Sequence, residues 1–193
     1  MARDRLQVVG IAGSLRHGSF NRGLIRAAMD VAPAGMTIVP HELDAIPMYN
    51  ADVEELGDPD PVRWFKESVG AADALLIATP EYNHCVPGVL KNAIDWASRP
   101  PRRSVLSNKP IAIMGAATGG GGTARAQAHL RDGLAYTSGL VLTQPEVLVP
   151  FAAERFDDDG NLLDETTRQA VYELLVSLAQ WVRELRDGIG RAA

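Results

Sequence analysis

The chain of 193 residues contains one cysteine, Cys85, so it can form neither an intramolecular disulfide nor a multi-cysteine metal site. Its four histidines are scattered, with no spacing that suggests metal ligation. No apolar run approaches the ~20 residues that a membrane span requires. The one basic cluster, Arg99 to Arg103, is broken by Pro100 and Pro101, and a net charge of -5 leaves no basic stripe for nucleic acid. A G-x-S-x-G nucleophile elbow is missing, as is the dinucleotide fingerprint G-x-G-x-x-G. Gly13-x4-Gly18 has the spacing of a triphosphate loop, but Ser19 stands where that loop needs lysine. Met1 to Arg5 lead into the first apolar run without a leader pattern, so the expectation is a cytoplasmic protein.

What is present is an alternation. Apolar, β-branched runs at Leu6–Gly13, Met36–His41, Ala74–Thr79, Pro110–Gly115 and Leu140–Thr143 predict strands, the last extended by Val147–Val149 beyond Pro145. Helices are expected over Asn21–Ala32, from an Asp60 N-cap with Pro61 at the first helical position to Ala71, and over Ala124–Tyr136. Val89, Leu90, Ala93, Ile94 and Ala97 form the apolar stripe of another. A last helix from Asp164 carries Val171, Leu174, Leu178 and Val182 on one face and is expected to stop at Gly188. Ala51 to Asp60 reads as an acidic surface loop. With no repeat or linker, residues 1–193 read as one domain, a parallel sheet covered by helices on both faces. Ligands of such sheets bind beyond the carboxyl ends of the strands, where the loops after strands one, three and four should meet.

Those loops carry the chemistry. In Gly13-Ser14-Leu15-Arg16-His17-Gly18-Ser19-Phe20-Asn21 a strand turns into a helix N-terminus, where free N–H groups and the helix dipole favour an anion. Ser14, Ser19 and Asn21 offer neutral donors, and the Arg16 fork suits phosphate oxygens. The same residues also read as an ordinary turn with capping serines. Pro80-Glu81-Tyr82-Asn83-His84-Cys85-Val86-Pro87-Gly88 places an aromatic wall and an amide where a planar heterocycle would sit, or else is a rigid connection with its tyrosine turned inward. Gly115 to Gly122, with Thr118 and Gly119, either lets a flat ligand approach the backbone or is a flexible linker. Cys85 has no Cys–His–Asp setting and reads as a plain small residue, and His129 as packing.

Together, Gly13-Ser14-Leu15-Arg16-x-x-Ser19-x-Asn21, Pro80-Glu81-Tyr82-Asn83 and Pro87-Gly88-Val89-Leu90-Lys91-Asn92-Ala93-Ile94-Asp95-Trp96 resemble the NAD(P)H-dependent FMN reductase family, in its bacterial quinone, chromate and azo-dye reductase branch. The resemblance spans about residues 6–185. It implies a flavodoxin-like α/β fold, a doubly wound five-stranded parallel sheet ordered 2-1-3-4-5, and noncovalent FMN. By position, Ser14, Arg16, Ser19 and Asn21 would hold the FMN phosphate, with Phe20 beside them. Pro80, Glu81, Tyr82 and Asn83 would frame the isoalloxazine, partly through backbone atoms. Backbone N–H groups near Gly115, Thr118 and Gly119 would stabilise the pyrimidine end of the reduced ring. The implied activity passes a hydride from NADPH or NADH through flavin N5 to a small-molecule acceptor: a quinone, free flavin, an azo dye or chromate. A flavodoxin-type electron carrier and a structural subunit without ligand are the rival readings.

Two further expectations follow. Arg99, Arg102 and Arg103 would meet the 2′-phosphate of NADPH, or else lie in a solvated loop. Asn92, Asp95 and Trp96, off the apolar stripe of their helix, predict a homodimer interface with an intersubunit partner for Asp95. The resemblance adds a homotetramer through Arg125 and Glu146, made less secure by Ala128 where relatives often carry an aromatic residue.

Overall fold

β1 (Leu6–Ala12) is buried at nearly every position because it lies inside the sheet, paired in parallel with β2 (Met36–His41) on one side and β3 (Ala74–Ala78) on the other. β3 is buried throughout, as an apolar run covered on both faces must be. β4 (Pro110–Ala116) continues the sheet. Its far edge is paired twice, by β5 (Leu140–Val141) at Pro110–Ile111 and by β6 (Val147–Val149) at Met114–Ala116. The expected fifth strand and its extension are therefore one edge interrupted around Pro145, and the order is 2-1-3-4-5. This computed structural model describes residues 5–192, so the expectation placed on the first residues lies outside the described chain.

Alternate strand residues feed two cores. Val8, Leu76 and Met114 pack under α1 (Phe20–Asp30) and α6 (Glu165–Ala192), against Leu24, Ala28, Leu175 and Leu178. Val9, Ile77 and Ile113 pack under α3 (Asp60–Ala71), α4 (Gly88–Ala97) and α5 (Ala124–Tyr136), against Phe65, Leu90, Trp96 and Leu134. All these connections place the helices on the sheet faces and leave the loops after β1, β3 and β4 together at one edge.

Several boundaries differ from expectation. Ala51–Glu55, within the stretch whose composition predicts a surface loop, is the short helix α2, capped by Asn50, whose Oδ1 accepts from the Asp52 N–H at 2.9 Å. Asp60 is not an N-cap: Pro59 holds that place, and the Asp60 carboxylate turns out to Arg63 at 2.8 Å. α1 starts and ends one to two residues early, at Phe20 and Asp30. α6 does not stop at Gly188, which stays out of the left-handed conformation that ends helices.

Candidate functional site

The three loops enclose a cavity of about 880 Å³ at the carboxyl edge of the sheet. Every residue expected to hold the FMN except Gly115 lines it. Gly115 lies beneath: a Cβ there would come within 2.3 Å of both the Thr79 carbonyl and Thr123 Oγ1, so only glycine lets β4 pass under the loop after β3.

At one end sits the start of α1. Ser19 is its N-cap, and its Oγ accepts from the Arg22 N–H at 3.3 Å. The N–H groups of Phe20 and Asn21, in the first turn, have no carbonyl of their own helix to meet. Buried Ser14 sets its Oγ 3.2 Å from Tyr82 Oη and accepts from the Arg16 N–H at 3.4 Å. The Arg16 guanidinium lies over the Phe20 ring, 4.8 Å from its centroid, and Phe20 in turn packs on Phe156 at 5.1 Å. This stack holds a cation at the cavity mouth. Asn21 differs from the expected donor role, because its side chain is engaged elsewhere. Nδ2 donates to Ala116 O at 2.9 Å and Oδ1 accepts from Ala116 N–H at 3.0 Å. What Asn21 has left for an anion is its own backbone N–H.

At the other end the loop after β3 closes on itself. Tyr82 and Cys85 exchange both backbone hydrogen bonds around Asn83 and His84, which have φ values of 50° and 62°. Two left-handed central residues make this the primed type of hairpin turn, and it leaves the Tyr82 ring half exposed at the cavity. Glu81 points the other way. Its Oε2 accepts from the N–H groups of Arg125 and Ala126, both at 3.0 Å, and Oε1 lies 3.1 Å from His84 Nδ1. Burial pushes its carboxyl up, but the Ala126 N–H, the His84 ring and the Arg125 N–H outweigh that and hold it below the ordinary range. The rim is thus tied in a triangle: Ser14 to Tyr82, Asn21 to Ala116, Glu81 to α5.

The glycine turn after β4 forms the third wall. A Cβ on Gly119 or Gly121 would meet nothing within 4 Å, so the backbone there faces open space. Cation, hydroxyls and helix N-terminus at one end, and an aromatic with bare backbone at the other, fit a ligand with an anionic tail and a flat polar ring. Residues 6–154 match the model of a family described as NADPH-dependent FMN reductase. The chain belongs to that family. It is 50% identical over 183 residues to an NAD(P)H-dependent FMN reductase of Pseudomonas aeruginosa, covering 95% of this chain and 98% of the relative. A quinone reductase of Escherichia coli is 38% identical over 187 residues, with 95% and 98% covered. Among solved structures, FerB, a flavoenzyme NAD(P)H:(acceptor) oxidoreductase from Paracoccus denitrificans, superposes with a TM-score of 0.84 at 32% identity. It covers 93% of this chain and 98% of its own.

Within this FMN reductase family member other expectations change. Arg99, Arg102 and Arg103 do not line the cavity, because α4 carries the chain about 15 Å away, to the opposite edge of the sheet. Arg99 Nε instead donates to Glu54 at 2.8 Å. Trp96 is fully buried and Asn92 nearly so, which removes both from any exposed face. Both donate to the Pro47 carbonyl, from Nε1 at 2.8 Å and Nδ2 at 2.9 Å, and Asn92 Oδ1 accepts from the Tyr49 N–H at 2.8 Å. Asp95 pairs with Lys91 of its own helix at 2.6 Å. Arg125 lines the cavity with its guanidinium 3.1 Å from His84 Nδ1, while Glu146 lies 4.0 Å from Arg131 of the same chain. No local pattern signals Ala153, which lines the cavity from a single 3-10 turn after β6, or the wall position of His84. Cys85 is exposed and off the cavity. Among the described residues no group of three or more histidines, cysteines and carboxylates is placed to hold a metal ion, and no helix is long and apolar enough to cross a membrane.

Proposed function

We propose that this chain binds FMN in the cavity and acts as an NAD(P)H-dependent FMN and quinone reductase. FMN, when bound there, would supply the redox chemistry that links the reduced nicotinamide to the acceptor. Ser14, Ser19, Arg16 and the first N–H groups of α1 bind the phosphate, and the Arg16–Phe20 stack keeps the guanidinium in place. Tyr82 and Asn83 would flank the ring, and the backbone of Ala117 to Gly120, which lines the same cavity, would offer N–H groups to it. No side chain of the cavity is assigned a proton. Support comes above all from the coincidence, in one cavity, of the cationic helix-start and the half-exposed Tyr82 within a family of FMN reductases.

Free flavin, azo dyes and chromate are proposed as further acceptors, by the original resemblance. One cavity serves donor and acceptor, so they must take turns. Initial rates of NADPH or NADH oxidation with a benzoquinone should give parallel double-reciprocal lines. A yellow protein that oxidises neither nucleotide would be an electron carrier, and this assignment of activity would fall.

A homodimer, with a tetramer as a further level, is proposed on new ground. Met48, Leu56 and Trp64, 75, 91 and 55% exposed, all fall on the segment leading from β2 into α3. Light scattering on Trp64→Glu should show a shift toward monomer. The cytoplasm is the proposed location, since it supplies reduced nicotinamide and keeps the exposed Cys85 thiol reduced.

A further inference from the structure

The helix that follows the glycine turn lacks a cap of its own. Thr123 holds the N-cap position of α5 without a side-chain bond to its backbone N–H groups, and its Oγ1 accepts from the Gln127 side-chain Nε2 at 3.0 Å instead. The orphan N–H groups of Arg125 and Ala126 are met from the opposite loop, by one oxygen of Glu81 some 44 residues away in sequence. That carboxylate side chain is itself only 11% exposed, and both bonds it accepts are charge-assisted. The glycine turn between β4 and α5 cannot hold its own place through side chains, because Gly119 and Gly121 have no neighbours where a Cβ would be. Its middle is touched by the segment 148–151, through the Phe151 N–H on Gly119 O at 3.4 Å, and the rest of its position is set from its ends. The β4 end is held by Asn21 on Ala116 and by the Ala117 N–H on Val149 O at 3.0 Å. The α5 end is held by Glu81.

We propose that Glu81 is a positioning residue: by capping α5 across the cavity it fixes the spacing between the Tyr82 wall and the glycine turn, the slot that takes the flavin ring. This rests on the flavin assignment made above. Glu81 sits one residue from Tyr82, so the clasp and the wall move together. Loss of the clasp frees the start of α5 to water and lets the slot widen, which weakens any flavin regardless of its phosphate.

The test is a titration of the full-length chain with FMN and with riboflavin, read by flavin fluorescence, for wild type, Glu81→Ala, Glu81→Gln and Arg16→Ala. Glu81→Ala should raise both dissociation constants by about tenfold, the scale of a charge-assisted hydrogen bond, and leave their ratio unchanged. Glu81→Gln keeps an acceptor oxygen and should recover most of the loss. Arg16→Ala should change FMN alone. A helix cap without a positioning role would lower the melting temperature of Glu81→Ala and leave both constants at wild-type values well below it, and that result overturns the proposal. So does a loss confined to FMN, or a Glu81→Gln no better than Glu81→Ala. A wild type that binds neither flavin would overturn the flavin assignment itself, and the clasp with it. A wild type that prefers FMN while Glu81→Ala binds both flavins unchanged would overturn the clasp alone.

Discussion

The Asn21 amide is paired with both backbone polar groups of Ala116, its Nδ2 on the carbonyl at 2.9 Å and its Oδ1 on the N–H at 3.0 Å. All of this is buried, and it joins the start of α1 to the end of β4 across 95 residues of sequence. Removing the side chain leaves two buried backbone groups unpaired, each costing about 1–3 kcal/mol. Asn21→Ala should therefore lose roughly 2–4 kcal/mol in urea denaturation. A variant as stable as wild type would mean that water replaces the amide without cost.

Arg16 presents the opposite case, a cation that supports little of the fold. It is exposed and rests on Phe20. Arg16→Ala should leave the urea midpoint nearly unchanged and weaken FMN by about 1.5–3 kcal/mol, with riboflavin unaffected. Isothermal titration with both flavins measures this directly. An equal loss for the two would take the phosphate away from this loop.

The two contrasting roles explain how much of the molecule was legible in the sequence. Strand–helix alternation was plain because β1 and β3 are covered on both faces and need unbroken apolar runs. α2 was invisible. It has five residues, none buried, and is held by Glu54, whose Oε2 receives Arg99 Nε and Tyr49 Oη, both at 2.8 Å. The loops that build the cavity were legible as unusual turns at strand ends. What each polar residue does inside them was not, because Asn21, Glu81, Asn92 and Trp96 all find partners more than 40 residues away. Local pattern carries no record of such partners.

Acid stability follows from caps of the same kind. The Asp164 carboxylate, at the start of α6, accepts from Thr167 Oγ1 at 2.5 Å and from its N–H at 2.8 Å, and pairs with Arg155 at 2.9 Å. The Thr167 hydroxyl, set against partial burial, and then its N–H and Arg155 hold the carboxyl below its usual value. A depressed folded value means that the unfolded chain takes up the proton first as pH falls. The stabilisation is complete above the unfolded value of about 3.9 and is lost as pH drops through the lower folded one. Glu81 adds to the loss with the same sign, from about 4.3 downward. Urea midpoints of wild type should fall more steeply below about pH 4 than those of Asp164→Asn. Parallel acid limbs would remove Asp164 from acid unfolding.

Trp96 decides whether α4 serves the core or an interface. Its ring is fully buried and meets Tyr49 edge-on, with centroids 5.0 Å apart at 77°. Its Nε1 shares the Pro47 carbonyl with Asn92 Nδ2, so one turn of α4 pins the segment between β2 and α2. Trp96→Ala should cost about 3–5 kcal/mol, because such a cavity closes only in part. That is comparable with the whole margin of a marginal domain. Trp96→Phe keeps most of the volume and loses one hydrogen bond whose acceptor still holds Asn92, so about 1 kcal/mol is expected. Urea denaturation ranks the three proteins, and light scattering on the same samples reports assembly. Buried Trp96 predicts that Trp96→Phe keeps the wild-type molar mass. If instead Trp96→Ala were as stable as wild type and dissociated, the ring would have to lie between subunits, against the packing found here.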